Sequence, residues 1–391
     1  MHTMETPVPR ARRARTRREV AALSPAIVGS ATALPRYHYR QAELTKTVQD
    51  ALPEGMLRDG MLRRFFETVQ VESRSFVIPV EHIMRLGGFK ERNDIHIEAA
   101  LELGEAVLRK ALADAGIKPR DVAMLATTSV TGIAVPALDA RLMNRIDFPS
   151  HMVRLPLFGL GCLGGAAGVA RVADWLRGHP DKCAVLLAVE TCSLAFQREA
   201  HVGNLVSIGL FGDGAAAIVM AGARHPLATE RASGARTRVL GSLSTFFRNT
   251  EGVMGWDVGD NGFTPVLSAD VPDIVRQQAP RAVDALLAPF RLTRTRVHRW
   301  VMHPGGPKVI AAMEESLELG HDALDPTRRH LSRVGNLSSA SVLFILDEHR
   351  RSFAAGQDRS AYGVMMALGP AFCAEVVLLR FEDASRIARA S

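Results

Sequence analysis

Along this chain, short runs that are almost wholly apolar alternate with longer runs in which apolar residues recur every three or four positions. "PAIVGSATALP" is the first apolar run and reads as a buried strand closed by Pro35. Residues from about 92 to 115 have helical periodicity and stop at Gly116, and "VAMLATTS" follows as a strand. The alternation continues with a helix around Pro136–Ile146, a strand over Met152–Leu157 and a helix opening just after Cys162. The strand "CAVLLAVE", a helix near Gly203–Leu210 and the strand "GAAAIVMAG" close this first set.

A second set has a similar order. "RVLGSLSTFF" is a strand, "VPDIVRQQAPRAVDALLAPF" a helix and "HRWVMH" a strand. Helical segments follow Pro307 and Asn336, and "YGVMMALG" and "AEVVLLRF" end the chain as strands. Apolar runs without period-two alternation belong to sheets covered on both faces, so the succession predicts an α/β fold. No low-complexity linker separates the sets. The expectation is a duplicated α/β fold packed as one body, with halves over 23–232 and 233–391 after a tail at 1–22.

Composition changes this picture only at the start of the chain. The 391 residues are 47% hydrophobic and 23% charged, and no apolar run reaches the length of a membrane span. Residues 1–20 hold Arg10, Arg12, Arg13, Arg15, Arg17 and Arg18 against two glutamates, which is +4 of the net +7. We expect a solvated, disordered extension; nucleic-acid binding through it is the rival expectation. No apolar stretch follows the paired arginines, so no export signal is expected, and the chain is placed in the cytoplasm. The cysteines, Cys162, Cys183, Cys192 and Cys373, have no metal-ligand spacing, so free thiols and no metal are expected.

Three places carry chemistry. Gly159-Leu160-Gly161-Cys162-Leu163-Gly164 fits G-x-G-x-x-G, with Glu190 at the end of "CAVLLAVE" as an acidic position. That pattern suits a dinucleotide turn. It equally suits a strand–turn–helix junction that presents Cys162 near a helix N-terminus, where a thiolate is favoured. His303 ends the apolar run "WVMH" and enters the tight loop Pro304-Gly305-Gly306-Pro307. Asn336 precedes a helix, where it serves as a cap or as an amide donor to developing negative charge. A nucleotide site has no use for the last two. A Cys–His–Asn set uses all three for acyl transfer, so the glycine pattern is not a nucleotide turn.

The stretches "GCLGGAAG", "LFGDGAAAIV", "HPGGP", "GNLSSASVLFILDE" and a late "LGP" resemble those of type III polyketide synthases, the chalcone synthase-like branch of the thiolase superfamily. The resemblance implies a five-layered αβαβα fold, a homodimer and an acyltransferase that needs no cofactor or metal. In it, Cys162 accepts the acyl group, and His303 and Asn336 stabilise thioester oxygens and the enolate left by decarboxylation. Phe211 falls at a gatekeeping phenylalanine, and Pro265 takes the place of a second one. Ala367-Leu368-Gly369-Pro370-Ala371 keeps only part of the family's late glycine-rich loop. Thr128, Ser338, Gly369 and Pro370 are further expected substrate contacts, with Arg64 and Lys308 meeting coenzyme A phosphates. The initiating ketoacyl-carrier-protein synthases share the three residue types, but their histidine loop reads His-Gln-Ala-Asn, unlike Pro304-Gly305-Gly306.

The resemblance implies that an acyl-CoA starter is extended by malonyl-CoA, or a methyl-branched relative, and cyclised. Cys192 and Ala195 stand where plant relatives have threonines, and "MGWDVGDNGF" is similar to bacterial alkylpyrone and alkylresorcinol synthases. A medium-to-long fatty acyl starter is therefore expected, although Trp256 puts an indole into the same space. The rivals are a single-condensation synthase acting on a carrier protein and a silent acyl-CoA-binding paralogue.

Overall fold

The computed structural model describes residues 23–51, 61–197, 202–229, 235–356 and 360–383. The arginine-rich tail lies outside the described residues. The strands are β1 (Ala26–Ala33), β2 (Tyr37–Arg40), β3 (Ser73–Phe76), β4 (Val122–Thr128), β5 (Val153–Leu157), β6 (Cys183–Thr191) and β7 (Asp213–Ala221). They continue with β8 (Ala235–Phe246), β9 (Met254–Gly259), β10 (Gly262–Leu267), β11 (Val297–Met302), β12 (Ser360–Gly369) and β13 (Cys373–Asp383). The longer helices are α1 (Gln41–Ala51), α2 (Met61–Thr68), α3 (Phe89–Ala115), α4 (Gly164–Gly178) and α5 (Val202–Leu210). After them come α6 (Val271–Leu287), α7 (Pro307–Ser316), α8 (Asp325–Val334) and α9 (Ser341–Ala355).

Nine strands form one sheet in the order β11-β12-β13-β8-β1-β7-β6-β4-β5. The duplication is visible in this order. In one half β4 pairs parallel with β6, and β6, β7 and β1 follow antiparallel. In the other β11 pairs parallel with β12, and β12, β13 and β8 follow antiparallel. The halves join at a corner, where only Ala26 and Ile27 of β1 meet Arg238 and Thr237 of β8. Strand β5 has no counterpart in the second half among the described residues.

Each half-sheet is covered on both faces, as its unbroken apolar runs require. On β6, Ala184, Leu186 and Ala188 face the two central helices, while Val185, Leu187 and Val189 face α3. On β12, Met365 and Ala367 point to the central layer, and Val364, Met366 and Leu368 point outward to α6 and α7. The layers run α3, half-sheet, α4 with α9, half-sheet, α6 with α7, which is the thiolase-like αβαβα fold. Leu186 is fully buried between β6 and α4, so truncating it to alanine costs on the order of 2–5 kcal/mol.

The small residues opening α4 let the central layer close up. A Cβ on Gly165 would lie 2.3 Å from the Ser339 carbonyl, and one on Gly168 would lie 2.5 Å from Leu186 Cδ1. The start of α4 therefore sits directly on the turn before α9. Both central helices begin at the same level, and each half brings one chemistry-bearing residue there.

The periodicity did not anticipate the β9–β10 hairpin or the β2–β3 pair. Both have mixed composition and half-exposed positions, so neither carries an apolar signal. The helix expected around 136–146 is shorter, Leu138–Leu142.

Candidate active site

Cys162 lies in the 3-10 turn Gly161–Leu163 that leads into α4. Gly161 adopts φ +54, and a Cβ there would meet Pro370 Cδ at 2.5 Å, so a glycine is needed on both counts. Asn336 follows α8 and precedes the turn Ser338–Ala340, which opens α9. Its side-chain Oδ1 accepts from the Ser338 N–H at 2.8 Å, an Asx turn that leaves the amide NH2 to point elsewhere. That side chain favours the Cys162 thiolate, pulling the thiol pKa down. His303 leaves β11 at the edge of the same space, its backbone N–H donating to the Met366 carbonyl at 2.9 Å.

These three residues line one cavity of about 50 Å³, together with Phe211, Trp256, Pro265, Ser338 and Pro370. The Ser338 hydroxyl lies 3.6 Å from the Cys162 sulfur. Both ring nitrogens of His303 are buried without a protein partner. Leaving two such groups unmatched is costly.

The electrostatics differ from the sequence-based expectation of a ready thiolate. Burial pushes the Cys162 thiol up to about 12, and the nearby Glu190 carboxylate pushes the same way; hydrogen bonds from Ser338 and Asn336 oppose them. Burial also holds His303 down to about 3. Burial thus disfavours the charged form of both side chains. The short turn before α4 offers too few aligned peptide units to outweigh desolvation.

The other expected contacts divide. Phe211, Trp256, Pro265, Ser338 and Pro370 line the cavity. Thr128 is buried with its hydroxyl against Gly164, where a Cβ would approach to 2.5 Å, and Gly369 packs in the same manner on Leu163. Cys192 and Ala195 are buried in the turn after β6 and are absent from the lining. Arg64 and Lys308 are exposed and also lie outside it.

One buried group has a role that the sequence did not show. Glu190, at the end of β6, accepts from the Val130 N–H at 3.0 Å and the Thr131 hydroxyl at 2.8 Å. It also takes the hydroxyls of Ser129 and Ser339. It ties the loop after β4 to the turn that follows Asn336. Its one sequence signal was an acidic residue ending a strand that is otherwise wholly apolar.

A duplicated thiolase-like fold with cysteine, histidine and asparagine around one buried cavity defines a condensing acyltransferase class. Comparison with known proteins narrows it. The family models for chalcone and stilbene synthases match over residues 14–224 (N-terminal domain) and 239–382 (C-terminal domain). The chain is similar to a 1,3,6,8-tetrahydroxynaphthalene synthase of Streptomyces peucetius subsp. caesius, 43% identical over 350 residues that cover 90% of this chain and 91% of that protein. A putative chalcone synthase of Bacillus subtilis (strain 168) is 33% identical over 365 residues, 91% of this chain and 98% of that protein. The crystal structure of 1,3,6,8-tetrahydroxynaphthalene synthase from Streptomyces coelicolor A3(2) superposes with a TM-score of 0.83 at 28% identity, covering 91% and 99%. The chain belongs to the chalcone and stilbene synthase family and is a type III polyketide synthase.

Proposed function

We propose that Cys162, His303 and Asn336 carry an iterative decarboxylative condensation primed by a small acyl-CoA, with malonyl-CoA as extender. The carrying observation is their convergence on one buried cavity. The Cys162 sulfur attacks the starter thioester while His303, neutral and unpartnered, takes the thiol proton and passes it to the departing coenzyme A. Proton transfer within the pair creates two opposite charges at once, so their attraction offsets the desolvation that disfavours either alone. Malonyl-CoA then loses CO2, and the electron pair of the broken C–C bond becomes an enolate. Its oxygen receives hydrogen bonds from the Asn336 amide and the His303 N–H. The enolate carbon attacks the acyl-Cys162 thioester, and the thiolate leaves. Arg64 and Lys308 are the proposed contacts for coenzyme A phosphates.

The cavity supports a short starter. The space its lining leaves is small, about 50 Å³. Trp256 and Phe211, with ring centroids 6.2 Å apart, both stand in its lining. A polyhydroxylated naphthalene, of the kind named for the Streptomyces peucetius relative, carries no aliphatic chain and so accords with a short starter. The fatty acyl starter and alkylpyrone or alkylresorcinol product expected from Cys192 and Ala195 form the alternative reading. Those two small residues favour it, and an outlet past Trp256 is what it requires. Purified protein given malonyl-CoA alone and then with a panel of acyl-CoAs tests the choice by product mass. Multiply extended products from malonyl-CoA alone support the first; products only with decanoyl-like starters support the second.

We also propose a homodimer. The loop after β4 and the edge strand β5 leave Val135 88%, Phe158 58% and Val153 44% exposed. An apolar patch beside an unpaired sheet edge fits a second copy of the chain.

A further inference from the structure

We propose that Arg74 is a positioning residue for the condensing site. It holds the gate Phe211 and the donor Asn336 in register and so sets the decarboxylation rate without touching substrate. The inference rests on the functional reading above.

Arg74 lies in β3 and is fully buried. The end of α5 explains why a cation is there. A helix leaves its last carbonyls without intrahelical partners, and these carry partial negative charge. One guanidinium nitrogen of Arg74 donates to the carbonyls of Ile208 and Phe211, the latter at 2.8 Å. The other nitrogen donates to Gln41 Oε1 at 2.7 Å, and the same Gln41 side chain donates to the Gly209 carbonyl at 2.9 Å. The remaining carbonyl, of Leu210, accepts from the Asn336 N–H at 2.9 Å. Arg74 with Gln41 and Asn336 thus satisfy four consecutive carbonyls from opposite sides.

The same unit reaches the donor directly. Gly212 N–H donates to the Asn336 carbonyl at 3.0 Å, so residues 210–212 and Asn336 form a short bridge. The Arg74 stem lies against Gly335, where a Cβ would meet its Cγ and Cδ at 2.9 Å and where φ is +75. Strand β3 is also stitched to the end of α8: Glu72 N–H donates to the Ser332 carbonyl and the Ser73 hydroxyl to the Arg333 carbonyl, each at 2.7 Å. Leu210 and Phe211 both line the cavity. A buried ion that served only stability could be replaced by apolar side chains at little cost. A planar fork that spans three acceptors fixes relative position, which a point cation or an apolar group cannot do.

The test uses the full chain with Arg74→Lys, which keeps the positive charge opposite Asp213 but loses the fork. Malonyl-CoA decarboxylation is followed as CO2 release, and Cys162 capture by iodoacetamide is followed in parallel. The expected result is a kcat lower by about a hundredfold with KM within about twofold and Cys162 capture unchanged, because an ångström-scale displacement of the donor affects the transition state alone. An unchanged kcat overturns the proposal. So does a loss shared equally by kcat and Cys162 capture with a raised KM, which is general loosening. If Arg74→Lys does not fold, Gln41→Leu carries the test: a severalfold kcat loss at constant KM supports the proposal and none overturns it. Asn336→Ala separates the two levels. If wild type decarboxylates, Asn336→Ala is slow and Arg74→Lys is not, only this inference falls. If wild type itself does not decarboxylate malonyl-CoA, the functional reading falls and takes this inference with it.

Discussion

If the proposed small-starter reading holds, replacing Trp256 by alanine should open the site to aliphatic acyl-CoAs. Trp256 stands on β9 and lines the cavity between Phe211 and Phe263, its ring centroid 6.0 Å from that of Phe263. A fully covered tryptophan buries on the order of 200 Å². Trp256 is half-buried, so ~100 Å² of contact becomes available, worth ~2.5 kcal/mol at ~25 cal/mol per Å². That equals about three methylenes at ~0.8 kcal/mol each. The expected gain in kcat/KM is on the order of fiftyfold for a pentanoyl starter relative to acetyl, levelling off for longer chains. The assay is kcat/KM against acyl-CoA length for wild type and Trp256→Ala, with product mass as the second readout. Identical length profiles refute the reasoning, as does a wild type that already prefers decanoyl-CoA, because the indole would then not bound the cavity.

Three further outcomes are expected. Asn336→Ala should slow malonyl-CoA decarboxylation a few hundredfold, ~3 kcal/mol of barrier, while Cys162 remains open to alkylation; a loss under tenfold contradicts the donor role. Because burial pushes the Cys162 thiol up to about 12, its alkylation in the empty enzyme should rise about tenfold per pH unit from pH 7 to 10. A plateau near pH 6–7 would instead reveal a resting thiolate–imidazolium pair. Burial holds His96 and His349 down to about 4 and His303 and His330 down to about 3. The unfolded chain, with histidines near 6.5, then binds protons first, so stability is full above pH 6.5 and falls by about 1.4 kcal/mol per histidine per pH unit toward pH 4. Thermal midpoints should drop steeply between pH 6.5 and 5, and a flat profile contradicts this.

The parts of the fold that were legible in the sequence are those with two covered faces. The runs "CAVLLAVE" and "GAAAIVMAG" could only be central strands, and the small residues after Cys162 mark a helix pressed against another backbone. The site was legible because its three residues each end an apolar strand or begin a central helix. What could not be read depends on distance in space. The thiol was expected to be activated, because a sequence shows the helix start but not the desolvation around it. Thr128 and Gly369 were expected to meet substrate, yet they pack against the start of α4 and the Cys162 turn. Cys192 and Ala195 lie in the turn after β6, away from the cavity lining, and between them the Ser193 N–H and hydroxyl bind the Asp213 carboxylate. Arg74 has no sequence signal, because its acceptors are backbone carbonyls.

The central claim is that Cys162 carries the growing chain while malonyl-CoA is decarboxylated beside His303 and Asn336. Its most direct test is acid-quenched turnover of the purified protein with malonyl-CoA, followed by peptide mapping and product mass. The account predicts an acyl adduct on the Cys162 peptide, its absence in Cys162→Ala, and products that contain several two-carbon extensions. Turnover with the adduct on Cys183, Cys192 or Cys373, or multiply extended products from Cys162→Ala, would contradict it.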